Sequence, residues 1–187
     1  MPMQENHADS AAAVAPRAVP SSSRMVASYL TDVEKLLEAQ RWDAALCEAY
    51  DLPRIAVALT DPTLQSSGEE QKSWCERWIR PAADGAESDR VDYERVYRAV
   101  CEHIEHEDAA QPKSIPARAL RRLRLRRHVR TPPRGFLHES HPPDDPEASE
   151  SAQICTALVE AARRWYARSA CHNAIVQANL AKLAVLR

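Results

Sequence analysis

Glycine is nearly absent from this chain. Gly68, Gly85 and Gly135 are the only three in 187 residues. Glycine supplies the left-handed backbone of tight hairpins and the bare backbone of phosphate loops and dinucleotide fingerprints. Folds that depend on those devices, including most familiar nucleotide-handling ones, are therefore not expected. Thirteen prolines and 32 alanines stand against the three glycines. Alanine is the strongest helix former and proline the strongest helix breaker. The expected fold is all-α: a small helical bundle whose segments are separated by proline-bounded loops.

The length fits one compact domain with additional flexible segments, large enough to bury a core without metals or disulfides. The cysteines are Cys47, Cys75, Cys101, Cys155 and Cys171. Their number is odd and no two stand at C-x-x-C spacing, so reduced thiols packed as small apolar groups are expected. No stretch supplies the ~20 consecutive apolar residues of a membrane span, and the N-terminus has no apolar core of the secretory type. A cytoplasmic protein without a cofactor is the expectation.

The formal net charge of −2 conceals blocks of opposite sign. Residues 25–110 carry 9 basic and 19 acidic groups, and residues 111–134 carry 9 basic groups and no acidic one. Residues 135–150 reverse this with 5 acidic groups alone, and residues 151–187 carry 5 basic groups and 1 acidic. Such patterning points to electrostatic docking, either between parts of the chain or with a partner.

Four regions follow. Residues 1–24 mix Ala, Pro and Ser without amphipathic period and are expected to be a disordered tail. Residues 25–110 form an acidic helical body. Within it, Thr31 and Glu34 stand at capping-box spacing, as do Ser67 and Glu70. Asp43 is placed to cap a second helix, which Pro53 should stop or kink, leaving a short third piece over 54–59. Asp61 and Pro62 offer a further cap and a first-turn proline. Trp74, Cys75, Trp78 and Ile79 share one side of a helix over about 68–80. Tyr93, Val96, Tyr97, Val100, Cys101 and Ile104 recur at three- and four-residue steps, the cleanest helical face in the chain.

Residues 111–150 are a basic, then acidic, proline-rich connector. Residues 151–187 then form a long C-terminal helix, extended back to about Pro146 by the absence of any later Gly or Pro. Ile154, Leu158, Ala161, Trp165, His172, Val176 and Leu183 lie in one narrow arc. About 36 helical residues would span roughly 55 Å, longer than a compact domain of this size. The segment is therefore one helix that projects or pairs with a second copy, or two helices with a bend near 169–173. Trp165, His172, Val176 and Leu183 are its candidate packing or interface residues, and Tyr166, Val159 and Leu186 its candidate outward surface.

Few residues are arranged for chemistry. Cys101, His103 and His106 include donor types that suit zinc. Cys101, however, belongs to the apolar face, and His106 points roughly 140° away from it. Only His103 and His106 remain as candidate metal ligands, too few for a closed site. His138 and His141 flank a loop dipeptide with nothing to bring them to a metal. Neighbouring Cys171 and His172 diverge on a helix and are poorly placed to share a proton. No G-x-S-x-G elbow, H-E-x-x-H helix or Walker motif occurs, and no catalytic residue is assigned.

The strongest signal is Arg118, Arg121, Arg122, Arg124, Arg126, Arg127 and Arg130, seven guanidiniums in thirteen residues. Guanidinium forks match carboxylates and phosphates, so the block calls for an anionic partner. That partner is an acidic protein surface or the chain's own acidic body. Nucleic acid is the alternative, through phosphate contacts. Against it stand the acidic body and the lack of aromatic residues among the arginines. The sequence reading is a non-catalytic, bacterial-type cytosolic adaptor or regulator. The alternative is a nucleic-acid-associated regulator, and a homo-oligomer through the C-terminal helix is compatible with either.

Overall fold

The computed structural model describes residues 21–80, 91–107, 113–115, 119–120 and 146–185. The fold is all-α. Six α-helices occur among the described residues: α1 (Ser21–Glu38), α2 (Trp42–Thr60), α3 (Gly68–Trp78), α4 (Tyr93–Glu107), α5 (Pro146–Arg168) and α6 (Ala174–Val185). A two-residue antiparallel ladder joins β1 (Gln65–Ser66) to β2 (Lys113–Ser114), with Gln65 opposite Ser114 and Ser66 opposite Lys113.

Helix α2 is the hub. It packs against α1, α3, α5, α6 and β1, while α5 lies also against α1, α3 and α4. This explains where the alanines go. Ala45, Ala49, Ala56 and Ala58 of α2 and Ala157, Ala161 and Ala162 of α5 are all buried. Small side chains at a contact let helix axes approach closely. The larger core residues, among them Leu52, Ile55, Leu59, Leu158, Trp165, Leu180 and Leu183, fill the layers around that contact.

Several local expectations are corrected. Helix α1 begins at Ser21, so Thr31 lies inside it and caps nothing. Glu34 instead pairs with Arg163 of α5 at 2.6 Å. Helix α2 runs unbroken through the buried Pro53. Proline removes one backbone donor and costs about 3 kcal/mol in a helix interior. Fully burying residues such as Leu52, Ile55 and Leu59 contributes about 1.5–3 kcal/mol each, which outweighs that cost. The piece expected separately over 54–59 is thus the second half of α2.

Asp43 lies within the first turn of α2 rather than at its cap, which is Arg41. Asp61 starts no helix either. Its Oδ1 accepts from the Thr63 backbone N–H at 2.7 Å and from the Thr63 hydroxyl, turning the chain into β1. The Ser67–Glu70 capping box, by contrast, opens α3 with both reciprocal bonds present.

The segment expected as a connector from residue 111 contributes to the body. Lys113 and Ser114 complete the ladder, and Ile115 and Ala119 are buried in the core. A two-residue strand carries no alternation from which to read it. The next helix, α5, begins at Pro146, where the absence of any later Gly or Pro placed it. The tail expected over 1–24 lies outside the described residues as far as residue 20.

The C-terminal segment takes the two-helix form. Between α5 and α6 stands a 3-10 turn, Ala170–His172. Asn173 restarts the helix: its Oδ1 accepts from the backbone N–H of Ile175 at 2.9 Å and of Val176 at 3.2 Å. The second helix folds back onto α1 and α2. Asn179, 1% exposed, donates from Nδ2 to the Leu59 carbonyl at 3.1 Å and the Asp61 carbonyl at 2.8 Å. Those carbonyls lie at the C-terminal end of α2, where the helix cannot supply its own donors. One side chain from α6 thus joins the local Asp61 and Thr60 donors in closing the end of the central helix.

Candidate functional site

The arginine block, Arg118 to Arg130, lies outside the described residues. So do His138, His141 and Leu186. The described residues place the other candidates.

Trp165, Val176 and Leu183 point into the chain's own core. His172 does not accompany them. It is exposed in the 3-10 turn. The wheel that aligned all four assumed 100° per residue throughout, and the tighter turn breaks that phase. Val159, expected on the outer surface, is buried.

His103 and His106 stay apart from any donor set. The His103 ring stacks on Tyr50, with centroids 3.9 Å apart and planes 13° from parallel. Its Nε2 lies 3.8 Å from Glu107 Oε1, and the same glutamate pairs with Arg54 at 2.5 Å, tying α4 to α2. His106 is exposed, with Nδ1 2.8 Å from the Glu102 carbonyl. Among the described residues no three His, Cys, Asp or Glu side chains converge as a metal would require.

The cysteines are distributed by burial. Cys75 and Cys155 are buried, Cys101 and Cys171 intermediate, and Cys47 exposed. Burial holds the Cys75 thiol far above its ordinary range, with the nearby Cys101 adding to the effect. Burial likewise pushes the Cys155 thiol up to about 12. Thiols so disfavoured as thiolates are poor nucleophiles. Desolvation, followed by its hydrogen bond with Cys101, raises the Tyr97 phenol to about 12. Tyr93 donates to Glu160 at 2.8 Å, and Arg164 donates to the Trp78 carbonyl at 3.0 Å. These contacts bind α3, α4 and α5 together, which accounts for them structurally.

One concavity carries a different character. It is a cleft of about 350 Å³ between α1 and α5, lined by Arg24, Val26, Ala27, Leu30, Thr31, Arg163 and Tyr166. The buried Val26 and Leu30 form its floor, and the exposed Ala27 opens it outward. Arg24 and Arg163 stand on it from opposite helices. Arg163 is held by Glu34, as above. Helical spacing explains the lining: Arg24, Ala27 and Thr31 share one side of α1, next to Val26 and Leu30. The lining holds no Ser, Cys, His or carboxylate side chain, and its hydroxyls are those of Thr31 and Tyr166. The volume falls within the range of ordinary ligand pockets, near its lower end.

Of these residues the sequence singled out Tyr166, as part of an outward surface, and Thr31, as a helix cap. Arg24 fell at the supposed end of the tail, and nothing local linked it to Arg163. The available signal was the run of Val26, Leu30 and Val33, which extends the α1 face upstream of Thr31. No family model, curated protein or solved structure matches the chain.

Proposed function

We propose that this protein is a non-catalytic docking module, an adaptor or regulator that recognises anionic partners through localised cationic surfaces. The α1–α5 cleft is the observation that carries the reading: an apolar floor flanked by Arg24 and Arg163, both outside the strongly acidic residues 25–110. A chain of one sign with a local patch of the other steers a complementary partner to that patch and repels it elsewhere. The seven arginines of 118–130 supply a second such surface in the sequence.

The arginine block alone also favours a second reading, binding to nucleic-acid phosphates. Affinity capture with the full chain at moderate salt, before and after nuclease treatment, separates the two. A docking module retains a protein after nuclease, and Ala27→Trp, which fills the cleft, releases it. Capture that vanishes with nuclease and survives Ala27→Trp overturns the docking reading. In that case Arg124→Glu, Arg126→Glu and Arg127→Glu together should abolish nucleic-acid binding.

A further inference from the structure

We infer that the α1–α5 cleft seats an amphipathic helix of a partner protein, one that carries carboxylates beside its apolar stripe. The inference rests on the docking reading and identifies the chemistry of the occupant.

Shape gives the first argument. The cleft lies between two helices and is open to solvent through the exposed Ala27 and Thr31. An open trough of this kind leaves a small ligand largely wet. It suits an element that covers it and lowers one or two apolar side chains onto Val26 and Leu30. From Arg24 to Thr31 the α1 wall runs about 10 Å along the helix axis, two turns. That matches the pitch at which a guest helix repeats its apolar contacts, the helix-in-groove mode.

The alternative peptide mode, addition of a strand, needs an exposed sheet edge. The ladder among the described residues is only two residues long. It offers no edge of useful length.

Charge gives the second argument. Arg24 is exposed and makes no ion pair with another described residue, so its guanidinium is available to a carboxylate. Arg163 is already oriented by Glu34 at 2.6 Å, and its side chain remains half exposed. Guanidinium–carboxylate pairs are directional and often bidentate. Two of them facing each other across an apolar floor fix a guest's register and reject a guest with basic flanks.

The test uses the full-length protein and a synthetic 18-residue helical peptide with leucines at i, i+3, i+4 and i+7 and glutamates beside them. Its counterpart has lysines for glutamates. Binding is read by fluorescence anisotropy, and the contacted residues by amide chemical-shift changes. The acidic peptide should bind saturably and shift the Arg24, Ala27, Leu30 and Tyr166 amides. Both variant positions, Arg24→Glu and Ala27→Trp, are exposed, and circular dichroism should show both folded. Each should weaken binding about tenfold or more, the loss of one charge-assisted contact or of access to the floor. Arg24→Glu should also gain affinity for the lysine peptide.

The inference is overturned if the acidic peptide does not bind, or if it binds equally well to both variants. It is also overturned if both peptides fail while anionic phospholipid vesicles bind in an Arg24-dependent way. If peptide binding fails but protein capture remains sensitive to Ala27→Trp, the docking reading stands and only the helical acidic occupant is wrong.

Discussion

Replacing Asn179 with alanine should be among the most damaging single changes in this protein. The side chain is 1% exposed and its Nδ2 donates to two backbone carbonyls, those of Leu59 and Asp61. A typical internal hydrogen bond contributes about 0.5–1.5 kcal/mol net, and a buried group left unpaired costs about 1–3 kcal/mol. Asn179→Ala removes both bonds at once and orphans the Leu59 carbonyl in the core. The expected loss is about 2–4 kcal/mol, a large share of the ~5–15 kcal/mol that stabilises a native domain. Urea denaturation followed by circular dichroism reads this directly. With slopes of about 1–3 kcal/mol/M, the midpoint should fall by roughly 1–2 M at unchanged slope. Asn179→Asp should be worse at neutral pH, because it turns a carboxylate oxygen toward those carbonyls. If Asn179→Ala lies within about 0.5 kcal/mol of the parent, like an ordinary surface change, then α6 does not close the end of α2 as described.

Three further predictions concern local chemistry. Gln40 has φ 55° and ends α1 in a Schellman arrangement, with Gln40 N–H bonded to the Leu37 carbonyl and Arg41 N–H to the Leu36 carbonyl, both at 2.9 Å. The left-handed conformation costs a residue with a Cβ about 1–2 kcal/mol, so Gln40→Gly should stabilise by about 0.5–1 kcal/mol after its unfolded-state entropy is offset; a lower thermal midpoint would refute this. Thiol titration of the native protein should label Cys47 first, and Cys75 and Cys155 only after unfolding, as their burial and raised thiols require. The Asp61 carboxyl is held below its ordinary range by the Thr63 hydroxyl, then by the Thr63 backbone N–H. A depressed folded value means stabilisation that is present above the unfolded value and lost as pH falls through the folded one. Carbon-detected NMR titration should therefore show Asp61 protonating late on acidification, and Thr63→Val should move it back toward the usual carboxylate range.

How much of this was legible in the sequence depends on the distance over which each decision is made. The Ser67–Glu70 box and the Tyr93–Val96–Val100–Ile104 face are local, set by spacings of three and four residues, and the structure has both. The Thr31–Glu34 spacing is identical to a capping box, but a helix already begun at Ser21 runs through it, and Glu34 answers to Arg163 instead. Pro53 reads as a break because local cost was weighed without the burial that α2 gains from its neighbours. His172 looked inward because a wheel carries its phase across any residue, whereas the chain tightens at Ala170 and restarts at Asn173. The cleft was invisible for the same reason. Periodicity assigns a face to each helix and leaves open which other helix that face meets.

Helix ends are where this chain departs furthest from what its sequence suggests, and the scarcity of glycine explains why. A helix commonly ends on glycine in the left-handed region, satisfying its last carbonyls locally. Here α1 ends on Gln40 in that conformation and accepts the strain. Helix α2 has no such residue at its end: Asp61 is extended, with φ −98° and ψ 132°. The Asp61 N–H meets the Ala58 carbonyl and the Thr60 hydroxyl that of Val57, while the Leu59 carbonyl is met by Asn179, 120 residues away in sequence. A closure of that length is made only when α6 has docked, so it couples the end of the central helix to the arrival of the last one. The C-terminal segment must therefore turn back at Ser169–Asn173. A single straight helix through that point would carry Asn179 away from α2 and leave the Leu59 carbonyl without that donor. The bend is thus what lets Asn179 reach the end of α2.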